Sequence, residues 1–159
     1  MFVALKTIHI LAAVAFLGNI SIGLYWKSLA DRTGIAAIME YTVGGIILAD
    51  RLITIPSIVV LVVAGVALAI VGGIPVLGTG WVLWAIVLLV ISGLAFVPIT
   101  RAQLGLRETA ATGLSTAEEK DRYEKLSRQW NLWGSIGLAA PLIALVLMVT
   151  KPVLPALHP

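Results

Sequence analysis

The sequence contains no cysteine. Disulfides, thiolate metal sites, iron–sulfur clusters and cysteine nucleophiles are therefore excluded. Charge is scarce as well: only 12% of the 159 residues are Asp, Glu, Lys or Arg, against about 25% in a soluble domain. Histidine occurs only at His9 and His158. No charged residue falls in the middle of a long apolar run. That argues against a proton-coupled or multidrug transporter, which needs a buried carboxylate, and against carboxylate-bound metals. With no acid near His9, a Ser–His–Asp arrangement has no candidate.

What is abundant is apolar surface. Hydrophobic residues make up 60% of the chain and the mean hydropathy is +1.05, values of an integral membrane protein. The net charge of +3 does not point to nucleic acid, because the positive residues gather between apolar segments, as membrane topology requires. The first apolar run exceeds the roughly 7–15 residues of a signal-peptide core and shows no convincing cleavage site. It reads as a retained transmembrane helix.

Four runs reach the roughly 20 residues needed to span a bilayer: about 3–26, 52–71, 81–100 and 132–150. Backbone in lipid must satisfy its own hydrogen bonds, and no ten-residue alternation suggests a barrel. The expected fold is an all-α membrane protein, a single domain over residues 1–159 forming a four-transmembrane-helix bundle. Residues 72–80 (GGIPVLGTG) form a tight uncharged turn. The links 27–51 and 101–131 carry nine of the eleven Lys and Arg. The positive-inside rule puts both links in the cytoplasm and both termini outside. Both links also look helical. Residues 34–72 as one helix would be about 58 Å long. Ser115 with Glu118, or Thr116 with Glu119, has capping-box spacing and would open a helix running to residue 150. The bundle should therefore extend into the cytoplasm. Pro56, Pro98 and Pro141 are candidate kinks. Small residues at four-residue spacing (Ala15, Asn19 and Gly23; Gly65 and Ala69; Ser135 and Ala139) serve packing within the bundle, with a homodimer face as the alternative.

His9 is the one titratable side chain well inside a span. Three readings are open for it: a neutral imidazole bonded to a backbone carbonyl of an adjoining helix, a position near the headgroups, or axial ligation of a haem. By helix rise it is level with about Val66, Ala85 to Val87, and Ala144 to Met148, with Trp81 and Trp84 nearby. Met148 or His9 of a second subunit is a candidate second ligand, or the site is five-coordinate. Arg51, Arg101 and Arg128 sit at the cytoplasmic ends of spans beside Trp130 and Trp133. They either anchor the bundle at the interface or converge on an anion such as a phosphate or propionate. They lie about 20 Å from His9 along the membrane normal, so the two groups are separate candidate sites.

"LKTIHILAAVAFLG" resembles the first helix of the HemJ-type protoporphyrinogen oxidases and of the copper-resistance CopD relatives. "DRLITIPSIVVLVVAGVALAI" is similar to the second helix of that group, and "RYEKLSRQWN", with the apolar run ending in "TKP", to its last. The whole chain resembles a bacterial family of predicted four-helix integral membrane proteins of unknown function. The HemJ resemblance implies a bundle that binds haem b or a related porphyrin through the first-helix His, a position His9 occupies. It departs at Ala85, where the oxidases carry a lysine early in the third helix. The leading expectation is a haem- or porphyrin-binding protein with His9 on the iron, Trp84 and Met148 around the ring, and redox activity as a further expectation. The alternative is a non-enzymatic accessory subunit of a membrane complex. The expected setting is the bacterial inner membrane, with lipid and either a second copy or a larger complex as partners.

Overall fold

The computed structural model describes residues 1–157, and all regular structure among them is helical. Helix α1 spans Phe2–Thr33, α2 Ala36–Ala49, α3 Ile55–Val71, α4 Gly80–Ala111 and α5 Ala117–Thr150. A π-helical turn, Asp50–Thr54, joins α2 to α3 without a break, so Ala36–Val71 is one rod of 36 residues. The result is four rods, each long and apolar enough to cross a membrane. At about 1.5 Å per residue they measure roughly 48–54 Å, well beyond a hydrocarbon core of about 30 Å. The fold is the all-α four-span bundle that the hydropathy pattern predicts.

The bundle has two unlike ends. The α1–α2 and α4–α5 turns, with most of the charge, lie at one, the charged end. Both chain termini and the 72–79 turn lie at the other, the terminal end. The charged links are not loops. Helix α1 runs through Lys27 to Thr33, and only Gly34 and Ile35 separate it from α2. Gly34 takes φ +65° and its N–H donates to the Asp31 carbonyl, a left-handed cap that suits a residue without a β-carbon. Helix α5 opens with the Thr116–Glu119 capping box. The Thr116 hydroxyl accepts from the Glu119 N–H at 3.2 Å, and the Glu119 carboxylate accepts from the Thr116 N–H at 2.9 Å. That backbone bond holds the Glu119 carboxyl below its ordinary range.

The π turn has a local cause. Pro56 lacks an N–H and its ring presses on the carbonyl four residues back. The rod widens immediately before it, with the Ile55 N–H reaching the Asp50 carbonyl five residues away. Pro98 and Pro141 instead sit inside unbroken helices.

Helices α1 and α3 pack as one hairpin, and α4 and α5 as another. Helix α3 makes no close backbone approach to α4 or α5. The hairpins meet toward the charged end, where α2 packs on α4 and α1 on α5. The buried core lies there, around Val43, Ile99, Leu106, Tyr123 and Trp130. Glycines let the helices approach: Gly134 faces Leu24 and Gly137 faces Ile99. Ser135 and Ala139, expected on a packing face, are exposed; the inward face of α5 lies one position away. At the terminal end the chain after α5 folds back over α4. A β-carbon on Gly80 would collide with the Leu154 carbonyl, and the Leu157 N–H donates to the Leu77 carbonyl at 3.1 Å.

Candidate functional site

Three polar sites lie inside the bundle. The first is His9. Its Nδ1 is 2.9 Å from the backbone carbonyl of Leu61 on α3. A carbonyl only accepts, so Nδ1 carries a hydrogen; in the neutral imidazole Nε2 then keeps its lone pair. Among the described residues Nε2 has no hydrogen-bond partner. Gly65 makes this contact possible, because a β-carbon there would lie 3.0 Å from Cε1 and 3.3 Å from Nδ1 of the ring. The backbone-bonded imidazole is thus the arrangement present, and it leaves the other nitrogen free.

Of the residues grouped with His9 by depth, Trp84 is engaged elsewhere. Trp84 is on α4, which makes no close backbone approach to α1, and its indole N–H donates to the Pro155 carbonyl at 3.2 Å. Met148 is partly buried near the end of α5. Depth along the membrane normal gave the level of these residues but not the helix faces that carry them.

The second site centres on Asp50. A span that begins at Leu52 leaves Asp50 outside it. In the structure Asp50 lies near the middle of the rod Ala36–Val71 and is only 8% exposed. The absence of carboxylates from the bundle interior is therefore corrected. Asp50 Oδ1 accepts from the Thr54 hydroxyl at 2.9 Å and from the Asn19 amide at 3.4 Å, and Oδ2 accepts from the Gln103 amide at 2.8 Å. The Asn19 amide also donates to the Thr54 hydroxyl at 2.7 Å. Helices α1 and α4 and the π turn each contribute. No Lys, Arg or His forms an ion pair with Asp50 among the described residues. A narrow cavity of about 40 Å³ adjoins the cluster, lined among others by Asn19, Asp50, Gln103 and Trp130.

The third site is Lys27, which the sequence places in a link and the structure buries to 1% exposure. Its ammonium pairs with Asp31 one turn on and donates to the Ser127 hydroxyl at 2.7 Å. It lies 5.6 Å from the ring centre of Tyr123 and 5.2 Å from that of Trp130. The Tyr123 hydroxyl donates to Asp31 at 2.7 Å. Burial, with the Asp31 bond adding to it, pushes the Tyr123 phenol far above its usual range, so it stays a proton donor. This cluster ties α1 to α5 at the charged end.

Trp130 is therefore not an interfacial residue. It is 4% exposed, because the inward face of α5 carries Tyr123, Trp130, Gly134 and Gly137 in succession, and its indole N–H has no acceptor among the described residues. Arg51, Arg101 and Arg128 are each exposed on different helices, and none forms an ion pair among the described residues.

The Asp50 cluster left a trace in the sequence. Asp50, Thr54 and Ser57 are spaced i, i+4, i+7 in an otherwise apolar stretch, and all three are buried while Arg51 is exposed. A polar stripe on one face of an apolar helix marks a face that looks inward. Lys27 and Asp31, at i, i+4, are a similar trace on α1.

Four long apolar rods around buried polar clusters define a multi-pass integral membrane bundle. A family model agrees over residues 3–152: the chain belongs to the family described as predicted integral membrane protein (DUF2269). No curated protein and no solved structure matches it.

Proposed function

We propose that the protein binds a haem or related porphyrin in the bacterial inner membrane, with His9 as an axial ligand through Nε2. The observation that carries this reading is the 2.9 Å bond between His9 Nδ1 and the Leu61 carbonyl. Histidines that ligate metals usually donate their other ring N–H to a carbonyl or carboxylate, which fixes the tautomer and raises ligand basicity. Gly65 leaves room for the ring in that orientation. The likeness of the first helix to the HemJ-type oxidases points the same way. His9 would supply one ligand, while the Trp84 indole is engaged by the Pro155 carbonyl. Haem, when bound, supplies one-electron chemistry. His9 would hold the iron through Nε2, and the Leu61 carbonyl would fix the imidazole ring.

The optical spectrum of full-length protein purified after expression with haem supplied tests the proposal. A Soret band is expected in the wild type. It should vanish in His9→Ala and persist in Met148→Leu and Trp84→Phe. A wild-type protein with no Soret band, or a band unchanged in His9→Ala, defeats it.

A further inference from the structure

We propose that Asp50 is a proton-binding site inside the bundle, supplied through the adjoining cavity and held by neutral partners that serve it in either protonation state. The inference does not depend on His9, which is ten residues, or about 15 Å, from Asn19 along α1.

An ionisable side chain inside a membrane bundle is costly and is kept for a reason. When the reason is structural, a cation usually answers the carboxylate, as Lys27 answers Asp31 here. Asp50 has no such partner. The group facing it from α1 is Asn19, from α4 Gln103, and on its own rod Thr54. From α5 the cavity wall is Trp130, Gly134 and Gly137. None of these titrates in the physiological range. The charged neighbours in sequence, Arg51 and Arg101, are exposed. Lys27 is eight residues from Asn19, about 12 Å along α1, and is already paired.

The chemistry of these partners is what singles the site out. As a carboxylate, Asp50 accepts from two amides and a hydroxyl. As an acid, it donates one hydrogen and needs an acceptor. Asn19 and Gln103 each carry an amide oxygen, and the Thr54 hydroxyl has free lone pairs. Rotation of an amide or hydroxyl satisfies the acid without moving a helix. An arginine or lysine partner has no acceptor and would lock the charged form. Neutral two-way partners let a proton come and go at little structural cost.

Supply is the second requirement. The 40 Å³ cavity has Asp50, Asn19 and Gln103 in its lining. One water needs roughly 10–15 Å³ of such space, so about three fit. Trp130 adds an independent sign of a polar occupant: its indole N–H is buried without an acceptor on the same wall. Proton uptake then forms one O–H bond on Asp50 and breaks one in a hydronium of the cavity, which becomes water; release is the reverse. The π turn has placed Asp50 and Thr54 on the inward face, and such turns recur at functional sites.

Infrared difference spectroscopy of the full-length protein in lipid nanodiscs, titrated between acid and alkaline buffer, tests this. The expected result is a carbonyl-stretch band of a protonated carboxylic acid that appears as pH falls. It should shift in heavy water within the time of buffer exchange. Asp50→Asn should delete it. Asp50→Glu, which keeps the acid, should move rather than remove it, and so carries the test should Asp50→Asn fail to fold. The proposal is overturned by a spectrum in which no titrating acid band responds to these two substitutions. It is equally overturned by a band that does not exchange with heavy water, since that acid would be sealed from the cavity.

Discussion

The ammonium of Lys27 on α1 lies 5.2 Å from the ring centre of Trp130 on α5, and the same ammonium is bonded to Asp31 and Ser127. The two partners of this ion pair are unequally buried: Lys27 is 1% exposed and the Asp31 side chain 27%. Removing the more exposed partner should therefore do more harm. Asp31→Asn leaves a buried ammonium without its carboxylate and is expected to cost about 3 kcal/mol. Lys27→Met leaves a carboxylate that still accepts from Tyr123 and Ser127 and reaches solvent, for a loss of about 1 kcal/mol. The double variant should be milder than Asp31→Asn alone. Unfolding curves of the three variants in one detergent would reveal the order, and the reverse order would refute the account.

Gly65 offers a way to disturb His9 without touching it. In Gly65→Ala the new methyl would lie 3.0 Å from the imidazole, so the ring must shift by a few tenths of an ångström against its bond to the Leu61 carbonyl. Loss of such a supporting bond should weaken haem affinity by roughly 10–100-fold. Gly18→Ala, on the same helix as His9 but with nothing within 4 Å of its β-carbon, should leave affinity unchanged. Haem titration of the two variants beside the wild type measures the difference.

Orientation is open to direct test because the chain has no cysteine. Single cysteines at Leu114, in the α4–α5 turn, and at Leu77, in the 72–79 turn, report on opposite ends. With the charged end in the cytoplasm, a membrane-impermeant maleimide added to intact cells protected only by their inner membrane should label Leu77→Cys and spare Leu114→Cys. The opposite labelling pattern would invert the topology.

Much of the bundle was legible because hydrophobic length and capping chemistry are local. The largely apolar residues before Asp50 allow the second span to extend back to about residue 34, and the capping-box spacing of Thr116 and Glu119 opens α5. The interior polar groups were harder to see for one physical reason. A hydropathy window treats a charge as the end of a span, so Asp50 and Lys27 were assigned to solvent. Burial depends on which face a residue occupies, and that depends on helix phase. Phase in turn depends on the π turn, which no window detects. Trp130 was placed at the headgroups by the same omission. His9 fared better because an imidazole bonded to a neighbouring carbonyl was among the readings that a lone intrahelical histidine allows.

The π turn also works as a phase shifter. An α-helix advances about 100° per residue. The one extra residue accommodated between Asp50 and Thr54 therefore sets the angular relation between the face that α2 turns to α4 and the face that α3 turns to α1. Deleting one residue from this turn would let the rod run on as a regular α-helix with both faces in place, whereas closing the turn into α-helix at full length would rotate one flanking helix against the other by about a quarter turn. One of the two packing faces would then point into lipid. In this rod the π turn that precedes Pro56 keeps the two hairpins in register.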